Sequence, residues 1–225
     1  MIKPIKKSGY VILEGNIGVG KSTFSALLAD AFRKLGCNAE YLPEPDESTN
    51  PFLAEYYAKP KETAYKMQMH LLHQRFRSTQ YAQTAALDGR GWYILDRSYY
   101  GDICFAHVQV RDGFFTRDEL LSYLDAHRNM RRFIEPPSAA VFLMASPNVC
   151  AARIKKRARE CEAGVPIDYL EKLDDEIRGL ADILETRCFV LRLPWNEECT
   201  DDELRTKAMW LAERLTLGGR DDWDF

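Results

Sequence analysis

The chain has 225 residues, 46% of them apolar and 29% charged, a balance that excludes the disordered, collagen-like and disulfide-scaffold classes. At roughly 150 residues per domain the length suits one large domain, 1–225, better than two small ones, and no repeat or break in composition argues otherwise. Thirty-one basic against thirty-four acidic side chains leave a net charge of −3, so no broad basic face for a nucleic acid polymer or anionic lipid is expected, and an anionic ligand has to be met locally.

From the N-terminus, Lys6 and Lys7 lead into only a short apolar run, Tyr10–Leu13, before Glu14, too little for the apolar region of a secretory signal. Further runs of strand length follow at Ala39–Leu42, Trp92–Leu95, Ala139–Ala145 and Cys188–Leu193. None alternates polar with apolar, as expected of strands buried on both faces of a parallel sheet. Long helical patterns separate them, so the fold class is α/β. Phe24, Leu27, Leu28, Ala31, Phe32 and Leu35 repeat at three-four spacing up to Gly36 and predict the first helix. Lys61 to about Leu87 predicts a long helix that starts after Pro60 and stops at Asp88-Gly89, and further helices are predicted over Arg117–Phe133, Pro147–Glu162, Asp168–Thr186 and Asp201–Leu215. The tail, 216–225, reads as short, polar and frayed.

The longest stretch without Asp, Glu, Lys or Arg, Pro136–Ala152, is interrupted by Pro147 and falls short of the ~20 apolar residues of a spanning helix, so no membrane span and a cytoplasmic location are expected. The six cysteines show no C-x-x-C spacing, and reduced thiols are the default.

Gly15-Asn16-Ile17-Gly18-Val19-Gly20-Lys21-Ser22 satisfies the Walker A pattern and lies between the first predicted strand and the first amphipathic helix, where a phosphate loop has to be. Glycines let the backbone curl with its N–H groups inward, and the helix start at Ser22 and Thr23 adds partial positive charge. Lys21 reaches the β/γ-phosphates, and the Ser22 hydroxyl can ligate Mg²⁺. A glycine-rich turn would explain the glycines but not Lys-Ser at this register. An ATP or GTP site is expected.

Asp96, in Asp96-Arg97-Ser98, closes the third strand at the carboxyl edge where parallel sheets bind ligands, and is a candidate Mg²⁺ partner as well as a possible helix cap. Glu44, in Pro43-Glu44-Pro45 after the second strand, is presented at the same edge by a backbone that two prolines restrict, which suits a general base; a solvated turn acid is the plainer alternative. Arg153, Lys155, Lys156, Arg157 and Arg159 form the one dense basic run, ahead of Gly164-Val165-Pro166. Arg153 and Arg157 share a helical face and read either as a wet surface or as a lid, about 153–166, whose arginines grip a transferring phosphoryl group. Gln68, Leu72 and Arg75 fall on one face of the long helix beside Met67, setting a carboxamide and a guanidinium among apolar neighbours; helical spacing alone leaves it equally open that the pair faces solvent beside the apolar stripe.

Taken in order from about Gly9 to Cys199, the phosphate loop, Glu44-Pro45, Tyr57-Ala58-Lys59-Pro60, Gln68 and Arg75 seven apart, Asp96-Arg97-Ser98 and the Arg-rich run ending in Gly164-Val165-Pro166 resemble the deoxynucleoside kinase family. The resemblance implies a P-loop kinase fold, a five-stranded parallel sheet flanked by helices with an Arg-rich lid. It also implies ATP-dependent phosphorylation of a deoxynucleoside 5′-hydroxyl and a homodimer. It implies that Glu44 deprotonates that hydroxyl, that Tyr57 and Glu162 hold the 3′-hydroxyl, that Arg97 steadies the reacting centre and that Asp96 helps hold Mg²⁺. Gln68, Arg75 and Asp102, with Met67 beside them, would read the base. Arg153, Arg157 and Arg159 would close on the donor, and Asn196–Cys199 would pack on its adenine.

Arg75 and Asp102 go with purine or cytosine substrates in such a family, and Asp96 in the triplet resembles its bacterial purine branch, so deoxyadenosine ranks first, then deoxyguanosine, then deoxycytidine. Two departures bear on the base pocket: Asp46-Glu47-Ser48-Thr49 stands where relatives often carry a Trp, and Met67 stands for a pocket aromatic. A nucleoside monophosphate kinase and a non-catalytic nucleotide-binding module are the rival readings. Glu44 speaks against the first and the intact Lys21, Arg97 and Arg157 against the second.

Overall fold

The computed structural model describes residues 6–45, 50–157 and 164–217, with the side chain of Tyr57 left aside. Five strands form one parallel sheet: β1 (Gly9–Gly15), β2 (Ala39–Leu42), β3 (Trp92–Asp96), β4 (Ala139–Met144) and β5 (Phe189–Pro194), in the spatial order β2-β3-β1-β4-β5. The predicted α/β class and the five runs are thus found, with bounds shifted by a residue or two.

Helices cover both faces: α1 (Lys21–Lys34), α2 (Leu53–Ala58), α3 (Pro60–Leu87), α4 (Tyr99–Arg111), α5 (Arg117–Arg131), α6 (Pro147–Arg157), α7 (Ile167–Glu185) and α8 (Asp201–Leu217). Strand residues alternate between two core layers because successive side chains point to opposite faces. Val11, Leu13, Trp92, Ile94 and Val141 pack with Phe24, Leu28 and Phe32 of α1 and with Leu211 and Leu215 of α8. Tyr10, Ile12, Tyr93, Leu95 and Phe142 pack with Leu72 of α3, Cys104 and Val108 of α4, and Leu173 and Ile177 of α7.

Two helices escaped the sequence reading. α2 is a short element just ahead of Pro60. The other, α4, is buried almost all round, from Tyr99 through Asp102, Phe105 and Ala106 to Gln109, so it carries no amphipathic period to read. Its start is nevertheless marked, since the Ser98 side chain accepts from Tyr100 N as an N-cap. The reading of 216–225 as a tail also needs correction at its first two residues. Thr216 and Leu217 complete α8, Thr216 is buried, and its carbonyl accepts from Lys6 N at 2.8 Å. Residues 218–225, the stretch 158–163 of the predicted lid and the Asp46–Thr49 departure lie outside the described residues.

The register places the site. Leu13 of β1 lies level with Asp96, and Leu42 of β2 with Leu95, so the phosphate loop, the Asp96-Arg97 pair and the Pro43-Glu44 turn leave the sheet at one carboxyl edge.

Candidate active site

After β1 the chain turns through Gly15, Gly18 and Gly20, all at positive φ, into the N-terminus of α1. Gly18 is required twice over: its φ is 75°, and a Cβ there would stand 2.6 Å from Cγ1 of Ile154 and 2.9 Å from the carbonyl of Cys150 on α6. No side chain caps α1, whose first-turn N–H groups stay available to an anion. Asn16 fastens the loop, accepting from Ile17 N at 2.8 Å and donating to the carbonyl of Leu170 in α7 at 2.8 Å. Lys21 is buried and donates to the carbonyls of Asn16 (2.9 Å) and Gly15 (3.2 Å). Burial, with the neighbouring charge of Arg97, lowers its pKa to about 8 against the pull of Asp96, Glu44 and Glu14.

Asp96 Oδ2 accepts from Ser22 Oγ at 2.5 Å and from the Tyr41 hydroxyl at 3.3 Å, while its Oδ1 is buried with no partner. A carboxylate oxygen left without a donor, beside a serine hydroxyl at a phosphate loop, fits a hard cation such as Mg²⁺. Arg97, next in the chain, holds a φ of 71°, a left-handed conformation uncommon for a side chain of this size. Its backbone N–H donates to the Leu13 carbonyl at 3.0 Å and its Nη1 to the Gly15 carbonyl at 3.2 Å, so strand and loop both hold it. Behind it, the fully buried Glu14 accepts from Ser98 N (3.0 Å) and Ser98 Oγ (2.7 Å), and burial raises its pKa against the opposing charge of Arg97. Gly101 leaves room for that carboxylate, since a Cβ there would stand 2.3 Å from Glu14 Oε2.

Glu44 faces this cluster. Its Oε1 accepts from Arg75 Nη2 at 2.5 Å and lies 2.9 Å from Arg97 Nε, the side chain being 30% exposed. Burial would raise its pKa, but the charges of Arg97, Arg75 and Lys21 win and lower it to about 2. Arg75 turns its other arm, Nη1, to Asp102 Oδ1 at 2.6 Å. Asp102 Oδ2 accepts in turn from the Tyr123 hydroxyl (2.6 Å) and from Gln68 Nε2 (2.9 Å). The Phe105 ring packs against both guanidinium groups, 4.9 Å from Arg75 and 4.5 Å from Arg97. Two cations and three carboxylates thus meet in one nearly dry cluster, held by α3, α4 and the β1, β2 and β3 ends. Gln68 and Arg75 face inward together, the arrangement that helical spacing alone left open. Met67, also buried, lies beside them in sequence.

On the α6 side of the phosphate loop, Arg153 donates to the carbonyls of Val19 (3.1 Å), Glu197 (3.1 Å) and Asn196 (3.4 Å), tying the loop to the turn after β5. Beneath it opens a cavity of about 290 Å³ lined by Val19, Thr23, Phe24, Arg153, Trp195 and Cys199. Arg157 is exposed at the last described turn of α6, one turn beyond Arg153. Arg159 and Glu162 lie outside the described residues, and Tyr57 is placed only as a member of α2. Sequence reasoning missed Glu14, Tyr41, Phe105, Gln109 and Tyr123. Only Glu14, next to the Walker glycine, stood close to a readable signal.

Residues 11–205 match the deoxynucleoside kinase family profile. This chain belongs to the deoxynucleoside kinase family. Among its relatives, a deoxyguanosine kinase of Dictyostelium discoideum is 33% identical over 84% of this chain and 65% of its own length. A deoxyadenosine kinase of the same organism is 28% identical over 87% of this chain and 76% of its own. A solved deoxyadenosine kinase of M. mycoides with bound dATP superposes with a TM-score of 0.74 at 25% identity, covering 90% of this chain and 98% of that one. This chain's five-stranded parallel sheet is the P-loop fold of its solved relatives, and among the described residues no helix is long and apolar enough to cross a membrane.

Proposed function

We propose that this deoxynucleoside kinase transfers the γ-phosphoryl group of ATP to the 5′-hydroxyl of a purine deoxynucleoside, giving the 5′-monophosphate and ADP. Deoxyadenosine is the preferred acceptor, ahead of deoxyguanosine and then deoxycytidine. The observation that carries the reading is Glu44, held within 2.9 Å of two guanidinium groups at the sheet edge where Lys21 ends the phosphate loop.

A carboxylate there accepts the hydroxyl proton as the phosphorus–oxygen bond forms. A pKa of about 2 makes Glu44 a weak base, which suffices when the transition state is loose and the alcohol sheds its proton late. Arg97 offsets charge on the equatorial oxygens, and Lys21 with the α1 N-terminus holds the β/γ-phosphates. Ser22 and Asp96 hold Mg²⁺, whose charge offsets that of the triphosphate. Arg153, Arg157 and Arg159 close over the donor and exclude water, with its adenine in the cavity beside Trp195 and Cys199. Tyr57 and Glu162 hold the 3′-hydroxyl, and Gln68, Arg75 and Asp102 read the base beside Met67. The names of the two Dictyostelium relatives, a deoxyguanosine kinase and a deoxyadenosine kinase, support a purine acceptor.

The test is incubation with ATP and Mg²⁺ against a panel of deoxynucleosides and monophosphates. Product on nucleosides, lost in a folded Glu44→Gln, supports the proposal; phosphorylation of monophosphates alone overturns it. The homodimer implied by the family is read separately from the sedimentation of the full chain.

A further inference from the structure

Two primary amides meet where α3 packs on α4. Gln109, 1% exposed, donates from Nε2 to Gln68 Oε1 at 3.0 Å. Gln68, fully buried, donates from its own Nε2 to Asp102 Oδ2 at 2.9 Å and to the Asp102 carbonyl at 3.1 Å. The direction of this chain of bonds is imposed from one end. Asp102 already receives donors from Arg75 and Tyr123, and as an ionised carboxylate it can only accept. Turning the Gln68 amide over would set its oxygen against the Asp102 carboxylate and carbonyl together. The Gln68 carbonyl therefore faces away from Asp102, and whatever meets it must donate. Gln109 is that donor, and its own Oε1 is left buried with no partner. Leaving a buried acceptor unpaired is unfavourable, and Leu or Met would fill the same space without it. Packing alone does not call for glutamine at this position.

We propose that Gln109 is a specificity-determining positioning residue: donating to the Gln68 carbonyl while Asp102 accepts from the Gln68 amino group, it helps keep that carboxamide in one of its two orientations when a base enters. This rests on the reading of Gln68 as part of the base reader. An amide free to turn about its last bond exchanges donor for acceptor and accommodates either edge polarity. An amide locked by Gln109 leaves a group unpaired on the wrong base, a penalty that reaches ~10⁴ in the best hydrogen-bonding sites.

The experiment compares kcat/KM for deoxyadenosine and deoxyinosine, which share a ring shape but exchange an amino donor for a carbonyl at the six position, with deoxycytidine and deoxyuridine as the pyrimidine pair. The full-length parent, Gln109→Leu, Gln109→Met and Gln109→Glu are measured, with thermal melts alongside. In Gln109→Leu and Gln109→Met the preference within a pair should shrink by about tenfold, through KM more than kcat. In Gln109→Glu, which faces the Gln68 oxygen with an acceptor, the preference should shrink further or reverse. Should Gln109→Leu fail to fold, Gln109→Met, closest in shape, carries the same comparison. An equal fall on both members of a pair, or a parent that does not distinguish them, overturns the proposal while leaving the kinase reading standing. A parent that phosphorylates no deoxynucleoside overturns both.

Discussion

The donor and acceptor sides of the sheet edge are made of different material. On the donor side, one contiguous segment, Gly15–Ser22, offers backbone N–H groups and a helix end, and its one buried cation, Lys21, rests on carbonyls of the same loop. On the acceptor side no segment suffices. Glu44, Gln68, Arg75, Arg97 and Asp102 come from four places in the chain and hold one another by charge at 2.5–2.9 Å. Under the proposed function, a donor phosphate enters a loop already shaped for it, whereas a nucleoside has to enter a network whose members are already paired. Substitutions on the donor side should therefore act on nucleotide affinity, and those on the acceptor side should couple turnover, base choice and stability.

The largest effect that would sharpen this contrast is expected at Glu44. Glu44→Gln keeps the volume and can still accept from Arg75, but it removes the charge and the base. Turnover should fall by ~10²–10⁴ in a steady-state assay, with donor KM changed little. If donor KM rises as steeply as turnover falls, the two sides are not separable. Next is Asp102→Ala, which leaves Arg75 buried with half its pairing gone. Removing one partner of such a pair costs about 3–5 kcal/mol, to be read from denaturant midpoints. A variant that loses base discrimination with full stability would show that the network serves recognition alone.

The same contrast governs what the sequence disclosed. The loop was legible because its chemistry is local: three glycines, a lysine and a serine at fixed register between a strand and a helix. Glu44 and Asp96 were legible one step later, because each ends a strand and a parallel sheet gathers its strand ends on one edge. Gln68 and Arg75 could be placed on one face, but whether that face was wet or buried depended on Asp102, which sits on α4, the helix whose all-round burial erased its period. Tyr123, Phe105 and Gln109 were out of reach for the same reason, since each matters only through a partner on another element. The strands were found because burial on both faces leaves an uninterrupted apolar run, and their ends were displaced where Asp96 and Pro194 continue the ladder beyond it.

Proton linkage gives a smaller test of the donor side. Lys21 is a cation only below its pKa of about 8, so donor KM should rise as pH passes through 8, by at most about tenfold per unit. Because folding lowers this pKa from 10.5, burying the cation costs stability at low pH, and the Lys21 contribution to stability grows between pH 8 and 10.5. Glu44 behaves oppositely: its ion pairs stabilise above pH 4.5 and are lost as pH falls through 2, so Glu44 supplies no acid limb near neutrality. In Lys21→Met the alkaline rise in donor KM should vanish. A rise that persists would assign it to another group.

The smallest expected effect falls where the two sides touch. Tyr41, on β2, reaches Asp96 Oδ2 with a hydroxyl whose pKa is raised to about 12 by burial and by the Asp96 charge, so it remains a donor at any working pH. Its bond is long at 3.3 Å, and Ser22 Oγ holds the same oxygen at 2.5 Å. Groups that orient a metal ligand typically govern metal affinity by 10–100-fold, but one that is distant and duplicated should govern less. Tyr41→Phe should raise the Mg²⁺ concentration for half-maximal rate by about threefold and cost under about 1 kcal/mol of stability, as expected for a long hydrogen bond. A tenfold or larger change would mean that Tyr41, rather than Ser22, sets the orientation of Asp96, and that the donor side too depends on a contact between distant elements.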